Sequence, residues 1–369
     1  MNELDATTQS LLQSFGFDLE RFGVHQARAR DSQGVESNAI QDTLRAPAPG
    51  DIHLPPRLGS EEHAHCTSVG IEALRNGEVA SVVLAGGMAT RFGGVVKATV
   101  EVHNGASFLE LKLRDARRAS VRSGGRIPVY FMTSFATHKE VSEAIRSVSD
   151  DHIQARAFPQ FISLRLNEDG EIFRDESGAV SPYAPGHGDL PFALRNSGLL
   201  DEFRSSGGKL FCMSNVDNLT ASLDPTLIGW HLTRGVDMSV EVTAKHPGDK
   251  GGAPAWVAES LEIVEGFRFP SEFDQDSIPV FNTNTLMFDA EAIAANIALD
   301  FFAVRKQVHG NTVIQFERLV GQLTAHLSSA YLQVPREGID GRFHPVKDPA
   351  ELQRRLPQIL SALKDRGIV

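Results

Sequence analysis

The part of this sequence best suited to chemistry is a glycine-rich turn between an apolar run and two cations. The run Val79–Ala85 is followed by Gly86 and Gly87, and Arg91 and Lys97 come soon after. Glycine, which has no Cβ, permits positive φ and lets backbone N–H groups approach a flat ring or a phosphate, and fixed positive charge suits a polyphosphate. The pattern predicts a cradle for a nucleoside triphosphate. An ordinary strand-to-helix turn with incidental surface cations is the alternative.

The spacing in this turn excludes two familiar phosphate loops. A dinucleotide-binding loop needs glycines at the first, third and sixth positions. Counted from Gly87, those later positions hold Ala89 and Phe92. A P-loop needs Gly-Lys and then Ser or Thr, which this segment lacks. We therefore expect a phosphate loop of another class.

A second stretch, residues 181–191, surrounds His187 and Asp189 with prolines and glycines just before a predicted helix. Prolines make such a loop rigid, and glycines let its backbone approach a ligand closely. The stretch could hold a ligand, or it could be a surface turn with a solvated histidine.

A third stretch, residues 211–219, is an apolar strand that ends in Asn215, Asp217 and Asn218. A carboxylate at the end of a strand is well placed to hold Mg²⁺, because this ion favours one or two carboxylates together with phosphate oxygens and water. Alternatively, Asp217 or Asn218 caps the next turn.

The elements that would position these residues alternate along the chain, which predicts an α/β fold with a mostly parallel sheet covered by helices on both faces. Ligands of such sheets lie at the carboxyl ends of the strands. One or two helices are expected within residues 1–45. The predicted strands are Val79–Ala85, Ile127–Thr133, Lys209–Ser214, Met238–Thr243 and Pro279–Phe288. The later predicted helices are Phe108–Ser120, His138–Ser147, Phe192–Ser205, Pro225–Arg234, Thr312–Leu327 and Pro349–Leu363.

Composition excludes several classes of protein. The net charge of −11 argues against a nucleic-acid-binding surface, which would be basic. Two cysteines cannot form a disulfide framework or a cysteine zinc site. The acidic start argues against a signal peptide, and the lack of a long apolar run argues against a membrane span. We therefore expect a cytoplasmic protein.

Several motifs in order resemble the eukaryotic-type UDP-glucose pyrophosphorylase family. The glycine turn is similar to the Gly-Gly-x-Gly-Thr-Arg loop of sugar nucleotidyltransferases, with Ala89 in place of the third glycine. The resemblance covers about residues 79–350. The other matching motifs are Pro185-Gly-His-Gly-Asp, Arg195-Asn-Ser-Gly-Leu-Leu-Asp, Ser214-Asn-Val-Asp-Asn-Leu, Asp249-Lys-Gly-Gly, Phe281-Asn-Thr-Asn, Val313-Ile-Gln-Phe-Glu, Val334-Pro-Arg and Phe343-His-Pro-Val-Lys.

This resemblance implies a Rossmann-like, GT-A-like nucleotidyltransferase sheet and a Mg²⁺-dependent reaction of UTP with a sugar 1-phosphate, most simply glucose 1-phosphate. The residues that would act on the phosphates are Lys97, Arg91, Lys347 and His187, and the metal ligand would be Asp217. The residues that would bind the nucleotide are Leu84, Ala85, Gly86, Gly87, Met132, Gln160, Gly186 and Gly188. The residues that would bind the sugar are Asn215, Gly252, Glu265, Asn282 and Asn284.

The sequence departs from the family pattern in the nucleotide loop and at its end. The family's Gly-Pro-Lys is Val95-Val96-Lys97 here, in a loop one residue shorter, and Arg91 is typical of UDP-N-acetylhexosamine and bacterial relatives. The family's C-terminal β-helix is absent from the sequence, so a monomer or weak dimer is expected. We predict a helical extension over 1–75, a catalytic domain over 76–335 and a phosphate-lysine segment with a helix over 336–369.

Two alternatives stay open at this point. The same chemistry could use another sugar or cyclitol phosphate with UTP or GTP, or the chain could sense a nucleotide sugar without catalysis. The presence of Lys97, Asp217 and Lys347 together weighs against the sensor. His63, His65 and Cys66 are interpreted as part of a solvated helix end rather than a metal site, since no fourth ligand cluster exists elsewhere.

Overall fold

The computed structural model describes residues 4–31, 38–89, 92–246, 248–249, 251–308 and 310–369. The helices are α1 (Ala6–Ser14), α2 (Leu19–Arg30), α3 (Glu61–Arg75), α4 (Phe108–Ser123), α5 (His138–Ile145), α6 (Leu190–Asn196), α7 (Leu199–Ser205), α8 (Pro225–Arg234), α9 (Ala290–Ala294) and α10 (Pro349–Asp365). Short 3₁₀ helices lie at Lys97–Thr99, His187–Asp189, Gly266–Arg268, Gln275–Ser277 and Val320–Ala325.

The strands form one large sheet and several small ones. They are β1 (Leu44–Arg45), β2 (Ile52–His53), β3 (Val79–Leu84), β4 (Met88–Ala89), β5 (Val95–Val96), β6 (Glu101–His103), β7 (Ala106–Ser107), β8 (Ile127–Thr133), β9 (Ile153–Pro159), β10 (Ser163–Leu164), β11 (Pro182–Tyr183), β12 (Leu210–Asn215), β13 (Met238–Ala244), β14 (Ala253–Val257), β15 (Ser260–Val264), β16 (Val280–Asp289), β17 (Phe302–Val308), β18 (Asn311–Glu317) and β19 (Ser329–Gln333).

The central sheet has eight strands in the order β2-β19-β13-β16-β12-β3-β8-β9. Strand β16 runs antiparallel to both of its neighbours, β12 and β13. All the other neighbouring pairs in this sheet are parallel. This arrangement confirms the predicted mixed, mostly parallel sheet.

Apolar cores lie on both faces of the sheet. Along β3, Val79 and Val83 contribute to one core, while Ala80 and Val82 contribute to the other. Because successive side chains of a strand point to opposite faces, a strand covered on both sides is mostly apolar, and Ser81 is the one polar residue of β3. Helices α3, α4, α5, α8 and α10 cover the first face, and α6, α7 and α9 cover the second.

Helices α3 and α8 pack with their backbones close together. A Cβ on Gly70 would lie 1.9 Å from the Pro225 carbonyl oxygen, and one on Gly229 would lie 1.7 Å from that of Cys66. His63 and His65 lie in the first turns of α3. Among the described residues, no group of three or more His, Cys, Asp or Glu side chains could hold a metal ion.

Two helix predictions are corrected. The predicted helix Thr312–Leu327 is wrong, because β18 pairs with β17 in a hairpin and a 3₁₀ helix follows. The predicted helix Phe192–Ser205 is interrupted at Gly198, whose φ of 75° lies in the left-handed region. Glycine adopts this conformation without steric penalty, and a separate helix, α7, begins after it.

The N-terminal helices pack on the β17–β18 hairpin. Leu12 and Phe22 share a third apolar cluster with Ala303 and Phe316. Further along, β1 pairs with β14, and β2 pairs with β19 at the edge of the central sheet. The predicted domain boundaries stay a prediction. Within the described residues, no helix is both long and apolar enough to span a membrane.

Candidate functional site

The carboxyl ends of β12, β3 and β8 lie side by side and meet at Leu84. In the sheet register, Leu84 pairs with Asn215 on one side and with Met132 on the other. The Ala85 N–H donates to the Met132 carbonyl at 2.7 Å, and the Val216 N–H donates to the Leu84 carbonyl at 3.2 Å. The predicted nucleotide residues and the predicted sugar residue Asn215 are therefore neighbours across a single strand.

At the start of the glycine turn, glycine is required because a side chain would not fit, and not because the backbone has positive φ. A Cβ on Gly86 would lie 2.2 Å from Nε2 of Gln160, whereas one on Gly87 would meet nothing. Neither of these glycines has positive φ, which corrects the expectation from the sequence; the positive values occur at Gly93 and Gly94. The Ser134 hydroxyl also donates to the Gly86 carbonyl at 2.8 Å, which fixes this turn.

Gln160 presents a buried amide against that turn. It follows β9, and its backbone N–H donates to the carbonyl of Thr133, the last residue of β8, at 2.8 Å. Its side-chain Oε1 is buried and has no hydrogen-bond partner in the part of the chain that the structure describes. Buried polar atoms are nearly always hydrogen-bonded, so this oxygen is suited to accept a hydrogen bond from a ligand.

Lys97 and Asp217 form an ion pair between the glycine loop and the loop after β12. Lys97 Nζ donates to Asp217 Oδ2, and the two side chains are only 18% and 14% exposed. The Lys97 N–H also donates to the Gly87 carbonyl at 3.3 Å, so the loop folds back on its own start. The structure thus brings together two of the five residues expected to act on the phosphates and metal, Lys97 and Asp217. Arg91 lies outside the described residues.

Lys347 is positioned by a segment that docks beside Asp217. The buried Asn218 side chain donates to the Arg342 carbonyl at 3.0 Å and accepts from the His344 N–H at 3.1 Å. Lys347 follows on the same segment and is exposed. Its Nζ makes no hydrogen bond or ion pair with any described residue, so the structure brings its segment, but not its side chain, to the Lys97–Asp217 pair.

Lys112 forms hydrogen bonds with the residues that flank Asp217, and the sequence analysis missed this role. Its buried Nζ donates to Ser214 Oγ at 2.9 Å, to the Asn218 carbonyl at 2.7 Å and to the Ala221 carbonyl at 3.0 Å. Burial lowers the pKa of Lys112 to about 8. A signal was present in the sequence, because Lys112 stands one helical turn after the buried Phe108 and so lies on the apolar face of α4.

Three asparagines expected to bind the sugar are linked on the other side of Leu84. Asn284 Nδ2 donates to Asn215 Oδ1 at 3.0 Å, and the Asn284 N–H donates to Asn282 Oδ1 at 2.9 Å. Asn284 has a φ of 57° where β16 shifts register against β13. Asn284 Oδ1 is buried and has no partner among the described residues. Left-handed non-glycine residues are often found at functional sites.

Gly252 and Glu265 complete this cluster. The Asn282 N–H donates to the Gly252 carbonyl at 2.8 Å, and a Cβ on Gly252 would lie 3.1 Å from Cδ of Glu265. Burial raises the pKa of Glu265 to about 7, although Arg268 opposes the shift. All five predicted sugar residues are therefore contiguous, and their amide and carboxyl groups can donate and accept hydrogen bonds.

The loop 185–189 rests against the end of β18. The His187 ring accepts the Val320 N–H at Nδ1, at 3.0 Å. Burial lowers the pKa of His187 to about 4, so the imidazole is neutral at pH 7 and its proton is on Nε2. His187 can therefore donate a hydrogen bond, but it brings no positive charge to a phosphate.

Ser239, His231 and Asp289 are hydrogen-bonded in the order serine, histidine, aspartate, as in a hydrolytic triad. His231 is 2.7 Å from Ser239 Oγ through Nδ1 and 3.1 Å from Asp289 Oδ1 through Nε2. Ser239 lies inside the central sheet and is only 1% exposed, so no substrate can reach it. This arrangement is a buried polar network rather than an active site.

The sequence and the fold are both similar to those of known proteins. The sequence model of the family described as UTP--glucose-1-phosphate uridylyltransferase matches residues 28–359. The chain belongs to this family. This chain is 29% identical to the UTP--glucose-1-phosphate uridylyltransferase of Saccharomyces cerevisiae over 295 residues, which cover 74% of this chain and 58% of that protein. It is 30% identical to the one from Solanum tuberosum over 302 residues, covering 78% and 62%.

Solved structures agree on the fold. A UDP-glucose phosphorylase from Trypanosoma brucei superposes with a TM-score of 0.71 at 23% identity, covering 90% of this chain and 73% of that one. A uridine diphosphate N-acetylglucosamine pyrophosphorylase from the same organism gives 0.74 at 19% identity, covering 89% and 74%. This family member spans 57% to 62% of the length of the relatives it matches in sequence.

Proposed function

We propose that this family member transfers a uridylyl group from UTP to a sugar 1-phosphate, with glucose 1-phosphate as the preferred acceptor. The observation that carries the proposal is the arrangement around Leu84. Gln160 lies on one side of this residue and Asn284 on the other, and each has a buried amide oxygen with no partner among the described residues. The Lys97–Asp217 pair joins the glycine loop, which follows β3, to the loop that follows β12.

The uridine would lie on the Gln160 side. Backbone groups of Leu84, Ala85, Gly86 and Gly87 would hold it, and Met132 and Gln160 would face the uracil edge. The uracil ring has both an N–H donor and carbonyl acceptors, so a side-chain amide can satisfy both kinds of group. The contact between Gly86 and Gln160 supports this assignment, because it sets the amide directly over the glycine turn.

The sugar would lie on the other side, against the cluster of Asn215, Asn282, Asn284, Gly252 and Glu265. Sugar hydroxyls both donate and accept hydrogen bonds, as these side chains do. Asn284 Oδ1, which no described residue satisfies, is suited to accept a hydrogen bond from a sugar hydroxyl.

The phosphates would meet between the two sides. A sugar-phosphate oxygen attacks the α-phosphorus of UTP and pyrophosphate leaves, so holding two anions in line and neutralising their charge supply most of the catalysis. Lys97, Arg91 and Lys347 would provide positive charge. The neutral His187, with Gly186 and Gly188, would lie between nucleotide and sugar phosphate and donate a hydrogen bond from Nε2.

A magnesium ion would rest on Asp217. The described residues offer no cluster of three ligating side chains, but Mg²⁺ commonly binds through one carboxylate together with substrate phosphates and water. When bound, the ion neutralises phosphate charge. The expected cytoplasmic location and the expected monomer or weak dimer also stay proposals, which cell fractionation and sedimentation would test.

The direct test is pyrophosphate release by the purified chain, with UTP and GTP each crossed against hexose, N-acetylhexosamine and cyclitol phosphates in the presence of Mg²⁺. We expect turnover with UTP and glucose 1-phosphate to exceed all other pairs. Turnover with a different pair would reject the named substrates but keep the chemistry. Binding of UDP-sugar without exchange of labelled pyrophosphate would replace catalysis by sensing.

A further inference from the structure

Arg318 forms a fully buried ion pair with the last residue of the loop 185–189. Its Nε donates to Asp189 Oδ1 at 2.5 Å, and the side chains are 3% and 0% exposed. The other carboxylate oxygen of Asp189 accepts the Phe161 N–H at 2.9 Å. Both oxygens of Asp189 are thus occupied by donors from outside the loop.

Three aromatic rings surround the guanidinium group of Arg318. Its central carbon lies 4.0 Å from the ring centroid of Phe192, 4.9 Å from that of Phe301 and 5.5 Å from that of Phe161. A cation over an aromatic face in a dry site is attracted to the ring, and the guanidinium plane is held in one orientation. The side chain therefore has little freedom to follow a moving loop.

The backbone of Arg318 contacts the same loop. Its N–H donates to the Pro185 carbonyl at 2.9 Å, and its carbonyl accepts the Gly188 N–H at 3.0 Å. A Cβ on Gly186 would lie 2.7 Å from the Arg318 carbonyl oxygen, and one on Gly188 would lie 2.5 Å from its carbonyl carbon. Gly186 also has a φ of 109°. Both glycines are therefore required by the close approach of this one residue.

We propose that Arg318 is a positioning residue for the transfer reaction. Through Asp189 and the backbone of residues 185–188 it fixes the loop that would separate the nucleotide from the sugar phosphate. This inference rests on the proposed function, and Arg318 itself touches no substrate in it. Because a displacement of about 1 Å at reacting groups can reduce the rate about 10²-fold, we expect loss of Arg318 to lower kcat far more than it raises either KM.

The decisive variant removes both partners of the ion pair. Arg318→Met alone leaves the Asp189 carboxylate buried without its cation, so its Tm should fall. Arg318→Met combined with Asp189→Asn leaves no unpaired charge, so its Tm should recover. If Arg318 positions the loop, kcat of this double variant stays about 100-fold below wild type while each KM changes less than about threefold. A double variant with recovered Tm and wild-type kcat would overturn the inference.

A conservative variant covers the case in which the double variant fails to fold. Arg318→Lys keeps a cation among the three rings but replaces the rigid guanidinium fork with a compact ammonium group. We expect it to fold, with kcat lowered and KM nearly unchanged. Wild-type kcat in a folded Arg318→Lys variant would contradict positioning by the guanidinium.

Hydrogen–deuterium exchange of the peptide that spans residues 185–190 separates this inference from the proposed function. Exchange there should be faster in the double variant and unchanged in Arg28→Met, a matched control. Arg28 stacks on Phe316 and donates to the Phe301 carbonyl in the same aromatic region, without bonding to the loop. Unchanged exchange in the double variant overturns positioning. A wild-type chain that turns over no nucleotide and sugar phosphate overturns the proposed function instead, and the exchange result still decides the role of Arg318.

Discussion

At the scale of single residues, Lys97 has a specific electrostatic role. It ties the glycine loop to Asp217 in a mostly buried pair. In an otherwise acidic chain with a net charge of −11, such local cations must neutralise a bound polyphosphate. Lys97 would exchange part of its bond with Asp217 for contact with the triphosphate when substrate binds.

We predict that Lys97→Met lowers kcat/KM by about 10²–10³, the loss typical of removing one donor that stabilises transition-state charge. Steady-state pyrophosphate release measures this. Lys209→Met is the matched control, because Lys209 also forms an ion pair, with Glu78 at 2.9 Å, but lies at the opposite end of β12. Equal losses in the two variants would reject the role of Lys97.

The contact between Gly86 and Gln160 gives a second prediction. Gly86→Ala places a methyl group where Gln160 Nε2 lies, so the amide must move and the KM for UTP should rise about ten- to hundredfold. In Gly87→Ala the added methyl group would lie in open space, so the KM for UTP should rise much less. Substrate titrations of the two variants decide the matter. A larger rise in Gly87→Ala would place the nucleotide elsewhere.

Glu265 gives a prediction about pH. Its pKa is raised from 4.5 to about 7 in the folded protein, so the folded state holds more protons than the unfolded state between these values. This group's contribution to stability is therefore present at low pH and is lost as the pH rises from about 4.5 to about 7. Glu265→Gln should raise Tm relative to wild type more at pH 7.5 than at pH 5.

Thermal unfolding of Glu265→Gln at both pH values checks this, with the exposed Glu259→Gln as control. A Tm difference that does not depend on pH would mean that folding does not raise the pKa of Glu265.

At the scale of elements, loop positions depend on buried side chains from distant helices. Lys112 on α4 satisfies one hydroxyl and two carbonyl oxygens in the segment 214–221, which includes Asp217. Lys112→Met would remove a donor from each of these acceptors, although the Asn218 carbonyl keeps the Ala221 N–H at 3.3 Å. Each buried group left unsatisfied costs about 1–3 kcal/mol. We predict a loss of unfolding free energy of about 2–4 kcal/mol, measured by urea unfolding with Lys209→Met as control. A loss within the error of that control would contradict the contact.

Elements with a strong local pattern could be predicted from the sequence. Helix α8 has its predicted bounds, Pro225–Arg234, because proline and a preceding aspartate mark its start and Gly235 marks its end. Strand β8 has its predicted bounds because its apolar run is continuous. The sequence predicts a helix where β18 lies, because Val313, Phe316 and Val320 repeat at helical spacing. The pairing of β18 with β17 is a contact between two segments, so the pattern within β18 does not reveal it.

Contacts between distant segments explain what the sequence could not reveal about the site. Motif resemblance indicated the asparagines and glycines. It could not reveal that Gly186 and Gly188 are required by the Arg318 backbone, or that Gln160 lies over Gly86. These contacts join residues more than seventy positions apart in the sequence, and no local pattern indicates them.

At the scale of the whole molecule, one sheet edge organises both proposed subsites. Parallel strands β12, β3 and β8 end together, and the antiparallel β16 brings Asn282 and Asn284 to the same edge. We therefore predict a fixed order along this edge, with the base on the β8 side, the sugar on the β16 side and the phosphates above Leu84.

A crystal structure of this chain with UDP-glucose tests that order most directly. We predict the uracil against Gln160, the glucose against Asn215, Asn284 and Glu265, and the phosphates beside Lys97 and Asp217. Density for the nucleotide away from this edge, or with base and sugar exchanged, would contradict the central claim.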